Sequence, residues 1–146
     1  ELGRSGVRAN DDLDADSGAN GLQNFPVVTN VLMRRVGDLT YFDLSGTLNS
    51  KVATEYQVEI YATPMCDYDF NFYGEGKQYL GFVTFLTDSV GNATWSKTDI
   101  LSTSEVSLIG RCFTTTATDL STKSTSEFSN GLSAVAQRQF LPAAFK

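Results

Sequence analysis

The sequence predicts an all-β protein, folded as a two-sheet antiparallel sandwich of about seven strands. Short apolar or alternating runs recur from about residue 25 onward, and Gly, Asn and Asp residues separate them. No amphipathic stretch with helical periodicity extends beyond about two turns. The candidate strands are 26–33, 39–48, 55–62, 78–87, 93–99, 105–118 and 127–135. Seven short strands in about 110 residues are typical of two antiparallel sheets packed face to face.

Alternation along two of these strands predicts which side chains face the core. Successive side chains of a strand point to opposite faces, so the run "EYQVEIYA" places its apolar residues on one side. Gly46 interrupts the candidate strand 39–48 and indicates a bulge or a close approach of another segment. The predicted inward residues are Phe42, Leu44 and Leu48, followed by Tyr56, Val58, Ile60 and Ala62.

Length and composition predict one domain with two unlike ends. The chain has 146 residues, a length that one core commonly serves. Residues 1–24 are rich in Gly, Asn, Asp and Ser and predict an extended or loop-like lead-in with an acidic loop, while 25–135 form the sandwich. Residues 136–146 form a tail with a small apolar cluster, which we expect to dock on its own domain or on a neighbour.

Charge and composition exclude several classes of function. The net charge is −6 and the basic residues are scattered, so nucleic acid and anionic membrane are unsuitable partners. No apolar run approaches the length that membrane insertion requires. The chain contains no His, which removes the most common general base. A carboxylate pair among Asp67, Asp69 and Glu75 is too weak a basis for catalysis, and we predict that the protein is not an enzyme.

The acidic run in the lead-in predicts a Ca²⁺ site. Calcium takes six to eight oxygen ligands at about 2.4 Å, and closely spaced carboxylates and amides can supply them from one loop. The alternative is a solvated acidic linker, because the loop lacks the Gly and the final Glu of an EF-hand. The candidate metal ligands are Asp12, Asp14, Asp16, Asn10 and Asn20.

Aromatic residues interleaved with Asp and Asn suggest a second candidate site, for neutral polysaccharide. Flat rings can stack on the apolar faces of sugars while nearby polar groups contact the hydroxyls. The candidate ligand-binding residues are Tyr68, Tyr73, Tyr79 and Trp95. Alternatively, most of the large side chains of this region, Phe70, Phe82, Phe85 and Trp95 among them, pack in the core.

Three segments carry a resemblance to a known family: "DADSGANGLQNFPVVT", "YGEGKQYLGFVTFLTDSVGNATW" and "TTTATDLSTKSTSEFSN". Over about residues 8–132 the chain resembles a bacterial domain of large secreted and surface proteins. That domain often follows right-handed parallel β-helix repeats in proteins with a CSLREA-type leader region. The resemblance implies an immunoglobulin-like sandwich in an extracellular protein without assigned catalysis.

The two cysteines fit that arrangement. In an immunoglobulin-like strand order, Cys66 at the end of one strand faces Cys112 near the start of a neighbouring antiparallel strand. A disulfide between them is favoured in an extracellular setting, and two buried free thiols are the alternative. We therefore expect a secreted or cell-surface protein.

These observations together predict a non-catalytic structural or adhesive module of a secreted, surface-attached or filament-forming protein. Terminal segments of such sandwiches can complete the sheet of a second copy or of a neighbouring domain, and residues 19–33 or 132–145 are the candidates here. The alternative is a carbohydrate-binding module of a polysaccharide-acting protein, which uses the same kind of scaffold.

Overall fold

A computed structural model describes residues 8–66 and 76–136. These ranges contain two short 3-10 turns, Asp12–Asp14 and Ala19–Leu22, and no α-helix. Neither turn has the length or apolar character to cross a bilayer. The predicted all-β class is confirmed, with eight strands: β1 (Val27–Val36), β2 (Leu39–Asn49), β3 (Glu55–Thr63), β4 (Gln78–Leu86), β5 (Asn92–Ser102), β6 (Cys112–Asp119), β7 (Leu132–Ser133) and β8 (Val135–Ala136).

The strands form two packed sheets in an immunoglobulin-like order. One sheet has the order β5-β2-β1-β8 and the other the order β4-β3-β6-β7. In the lettering of immunoglobulin domains, β1, β2 and β5 correspond to strands A, B and E of one sheet. Strands β3, β6 and β7 correspond to C, F and G of the other. The predicted antiparallel pairing is wrong for one described pair, since β8 runs parallel to β1 with Leu32 opposite Val135. The chain passes from one sheet to the other at Ala134 without reversing direction, which produces this parallel pair.

The core lies between the sheets, and the predicted inward faces of β2 and β3 are confirmed. All seven predicted side chains are at most 2% exposed. Phe42 on β2 contacts Phe113 on β6, with ring centroids 5.2 Å apart, and so joins the two sheets. Burial of this apolar face stabilises the sandwich by roughly 25 cal/mol for each Å² removed from water.

Gly46 is a point of close approach, which is one of the two readings its position allowed. A Cβ atom at this position would collide with the Val27 carbonyl oxygen and with the ring of Trp95. Trp95 lies on the adjacent β5, directly opposite Gly46 in the ladder, and is 4% exposed. The missing side chain of the glycine therefore leaves the space that the indole fills.

The strand predicted at 105–118 begins only at Cys112. In the segment before Cys112, side-chain hydroxyls and not a neighbouring strand bond the backbone N–H groups. The Val106 N–H donates to the Thr103 hydroxyl, and the Leu108 N–H donates to the Ser102 hydroxyl. These bonds turn the chain and bury Leu108 completely. Ser and Thr hydroxyls compete with sheet formation in this way.

The strand predicted at 127–135 is reduced to β7 and β8. Upstream of them, the hydroxyl of Ser126 accepts from the Ala117 N–H and that of Ser129 accepts from the Thr115 N–H. Two side chains thus take backbone donors of β6 that a regular neighbouring strand would have bonded.

Candidate metal centre

The described part of the lead-in, residues 8–24, closes into a loop through its own amide side chains. Asn10 mimics a strand neighbour of Phe25: its Nδ2 donates to the Phe25 carbonyl at 2.7 Å and its Oδ1 accepts from the Phe25 N–H at 2.9 Å. Asn24 pairs in the same way with the backbone of Asp11, at 2.7 and 3.1 Å. These four bonds hold the start of the loop against its end.

The lead-in also docks on the sandwich. The Leu13 N–H donates to Asn49 Oδ1 at 2.9 Å, at the end of β2. Gln23 is 2% exposed, and its Nε2 donates to the Ser50 hydroxyl, which in turn contacts the hydroxyl of Tyr56 in the core. Residues 8–24 are therefore packed against the sandwich, as a loop that contains two short 3-10 turns.

Docking brings three carboxylates together. Asp11, Asp14 and Asp16 each place an oxygen within 4.8 Å of the other two. Asp11 Oδ2 accepts from the N–H groups of Ala15 and Asp16, both at 2.9 Å, and this fixes the turn. Asp11 Oδ1, Asp14 Oδ2 and Asp16 Oδ1 are buried and have no hydrogen-bond partner among the described residues.

Asp14 is the most enclosed of the three, at 5% exposed. Its Oδ1 accepts from the Asn24 N–H at 2.7 Å, and its Oδ2 lies 3.5 Å from Lys51 Nζ. Burial raises the pKa of Asp14, although the Asn24 hydrogen bond and the Lys51 charge act in the opposite direction. A carboxylate held in this way has lost most of its hydration, and a bound cation would compensate for that loss.

The pairwise spacing of the three oxygens meets the upper limit for ligands of one divalent cation. Two oxygens that each lie about 2.4 Å from one ion are at most about 4.8 Å apart. Carboxylate oxygens are hard ligands, so Ca²⁺ suits the set better than Zn²⁺, which favours nitrogen and sulfur. Three carboxylates leave further positions for water or backbone oxygens.

The set differs from the predicted one. Asp14 and Asp16 belong to it, but Asp12 is exposed and lies outside the cluster, where Asp11 takes its place. Leu13 and Asp14 have positive φ angles of 60° and 56°, which breaks the strand-like alternation on which the prediction depended. Asn20 donates instead to the Thr125 carbonyl, and Asn10 is engaged with Phe25.

Of the predicted polysaccharide-binding residues the structure describes two, Tyr79 and Trp95, and these two do not share a surface. Tyr68 and Tyr73 lie outside the described residues, as do Asp67, Asp69, Phe70 and Glu75. Tyr79 is 52% exposed on the outer face of β4, whereas Trp95 is buried in the other sheet and is a core residue. Phe85 also packs on the core, as the alternative expected, but Phe82 is half exposed.

Cys66 and Cys112 form a disulfide with a Cα–Cα distance of 4.8 Å. Cys112 opens β6 opposite Thr63, the last residue of β3, so the bond links the end of one strand to the start of its antiparallel neighbour. Cys112 is fully buried.

Sequence reasoning missed two charged residues beside the cluster. Lys51 Nζ lies 3.3 Å from Asp119 Oδ2 as well as 3.5 Å from Asp14 Oδ2. Asp119 closes β6, and its Oδ1 accepts from Ser121 and from the Thr122 N–H. The three residues are far apart in the chain, so no local spacing connects them.

The Asp119 turn predicts a pH dependence of stability. Burial by itself raises the pKa of Asp119, but hydrogen bonds from Ser121 and Thr122 outweigh it and hold the pKa at about 2, against an ordinary 3.8. The ionised group therefore stabilises the fold by about 2 kcal/mol above pH 4, and this contribution is lost as the pH falls from about 4 to 2. In urea unfolding with EDTA, Asp119→Asn should remove this part of the acid dependence; parallel curves for wild type and variant would contradict it.

No family model matches the sequence of this chain, and no curated protein matches it.

Proposed function

We propose that this chain is a non-catalytic structural or adhesive module of a secreted or cell-surface protein, and that a divalent cation, Ca²⁺, orders its lead-in. The observation that carries the proposal is the set of three buried carboxylate oxygens, on Asp11, Asp14 and Asp16, without hydrogen-bond partners. Buried polar groups are nearly always satisfied, so such a group calls for a ligand. Repulsion among the three charges is a second reason.

The disulfide supports the proposed extracellular location. A disulfide links Cys66, three residues after the end of β3, to Cys112 at the start of β6. Structural disulfides persist in oxidising compartments and are rare in the cytosol of most organisms. Extracellular fluids also supply Ca²⁺ in the millimolar range that weak sites require. The absence of His from the sequence agrees with a non-catalytic role.

Thermal unfolding in EDTA and in millimolar Ca²⁺ tests the proposal. A ligand that binds only the folded state at about ten to a hundred times its Kd adds about 1.4–2.7 kcal/mol, so in about 10 mM Ca²⁺ the melting temperature should rise by about 3–10 °C. Asp14→Asn should abolish the rise, because it keeps the Oδ1 acceptor for Asn24 but removes the charge.

Asp12→Asn is the matched control for that experiment. It removes the same charge from the same turn, but Asp12 is exposed and lies outside the cluster. The Ca²⁺-dependent rise should persist in this variant. Equal melting of the wild type in EDTA and in Ca²⁺ would refute the cation site.

Self-association through the terminal strands remains part of the proposal. Residues 27–36 pair with β2, and Val135 and Ala136 pair with β1 of the same chain, so exchange would require these strands to leave their own sheet. Light scattering over a range of concentrations, with and without Ca²⁺, tests it. A mass that stays monomeric throughout would remove strand exchange.

One observation favours the carbohydrate-binding alternative. Tyr79 and Phe82 are half exposed on the outer face of β4, beside Glu59, whose carboxylate accepts from the Tyr61 hydroxyl at 2.7 Å. Rings beside fixed polar groups suit neutral sugars. Affinity electrophoresis against neutral polysaccharides, with Tyr79→Ala as the comparison, tests this candidate, and unretarded migration in every gel would remove it.

A further inference from the structure

Lys51 lies between two buried carboxylates that belong to different parts of the fold. It follows Ser50 directly after β2, and its carbonyl accepts from the Thr87 hydroxyl at 2.6 Å, which fixes the backbone. Its Nζ is 3.5 Å from Asp14 in the lead-in and 3.3 Å from Asp119 in β6. The two acidic side chains are 0% and 1% exposed, whereas that of Lys51 is 39% exposed.

The two carboxylates differ in what else they bond. Asp119 has three further hydrogen bonds to its Oδ1, two from Ser121 and one from Thr122. Asp14 Oδ2 has no hydrogen bond, and Lys51 is its only ion-pair partner among the described residues. Without a metal ion, Lys51 is therefore the ion-pair partner that compensates the negative charge of Asp14.

The ammonium of Lys51 donates to Asp119 Oδ2 at 3.3 Å, and the side chain is 39% exposed. A lysine in such a position carries a unit positive charge at neutral pH. A unit positive charge next to a ligand oxygen repels a divalent cation bound to that oxygen. The same ammonium that stabilises Asp14 without a metal must therefore weaken metal binding.

We infer that Lys51 is a built-in counter-ion that competes with the divalent cation for Asp14, and that Asp119 retains the ammonium when the cation binds. The inference rests on the proposed cation site and adds a residue that sets its affinity. The lead-in then stays docked in both conditions, on Lys51 at low Ca²⁺ and on the cation at high Ca²⁺. A weakened affinity places the site in the range of extracellular Ca²⁺ modules, about 0.1–1 mM.

Calcium titration calorimetry on the full chain tests the inference with Lys51→Met, which keeps the aliphatic stem and removes the charge. The Kd for Ca²⁺ should fall at least about tenfold relative to wild type. In EDTA the same variant should melt below wild type, because Asp14 loses its counter-ion.

Lys97→Met is the matched control, since it removes one positive charge at a distance from the cluster. Lys97 pairs with Leu44, whereas Asn49, which holds the lead-in, pairs with Asn92 five positions further along the same ladder. Its Kd should stay within about twofold of wild type, because distant surface charges are screened.

A double-mutant cycle with Asp119→Asn separates the role of Lys51 from the general field of Asp119. Removal of the Asp119 charge should weaken Ca²⁺ binding in the wild-type background, because the ammonium then pairs with Asp14 alone. Most of that effect should disappear in the Lys51→Met background, as expected for coupled neighbours.

Each result has a defined meaning. Calcium binding to wild type with no tighter binding to Lys51→Met would overturn the competition and leave the cation site intact. Binding to neither would overturn both proposals. Binding to Lys51→Met alone would support the competition and show that Lys51 blocks the site in the wild type.

Discussion

Replacement of Phe42 by alanine is expected to lower the free energy of unfolding by about 3–5 kcal/mol. Phe42 is fully buried, and its ring contacts that of Phe113 in the opposite sheet at a centroid distance of 5.2 Å. Truncation removes apolar contacts on both sheets and leaves a cavity that the rigid ladders cannot close. A domain of this kind has about 5–15 kcal/mol of stability, so the loss is a large part of the total. Urea unfolding measures it.

Phe82→Ala is the control for that prediction. The residue type and the change are identical, but Phe82 is 49% exposed on the outer face of β4. Its truncation should cost less than about 1 kcal/mol, as is usual for surface positions. Equal costs for the two variants would show that Phe42 does not lie between packed sheets.

Loss of the disulfide should have an effect of similar size. Cys66 and Cys112 close a loop with a sequence separation of 46 residues. The chain-entropy model assigns such a loop about 4 kcal/mol of stabilisation. The double variant Cys66→Ala, Cys112→Ala should therefore unfold about 8–16 °C below the oxidised wild type.

Reduction provides the control for the disulfide. A reducing agent should lower the melting temperature of wild type towards that of the double variant and should leave the variant unchanged. Thiol titration of oxidised wild type in denaturant should find no free thiol. Two titratable thiols in the oxidised protein, or melting of wild type that does not respond to reductant, would contradict the bond.

The fold was largely predictable because the central strands β2 and β3 carry a clear pattern of their own. Along β2 and β3 the apolar residues alternate, and burial of one face requires this alternation wherever the strand packs. The segments that were predicted wrongly, 105–111 and 127–131, each contain one Ser, and further Ser and Thr residues lie directly before them. Hydroxyls of Ser102, Thr103, Ser126 and Ser129 bond to backbone groups there or in β6. The local pattern does not indicate whether a hydroxyl or a neighbouring strand satisfies such groups.

The candidate site was predictable only in part. An acidic loop was evident from the sequence, and Asp14 and Asp16 were among the predicted ligands. The choice of Asp11 over Asp12 depends on two residues with positive φ, which the sequence does not signal because neither is glycine. Asn10 and Asn20 have side-chain oxygens of the kind that bind Ca²⁺, but their amide groups are engaged in hydrogen bonds to the backbone.

By itself the sequence determined the two-sheet class, the inward faces of the central strands and the acidic character of the lead-in, because these depend on composition and on the period of neighbouring residues. Only the tertiary structure decided that the lead-in packs on the sandwich, that Trp95 fills the space above Gly46 and that Lys51 meets both Asp14 and Asp119. Such contacts join residues that are distant in the chain, and they form only once the sheets have brought the strand ends together. The electrostatics of the candidate site is therefore a property of the fold, although each charge in it can be read from the chain.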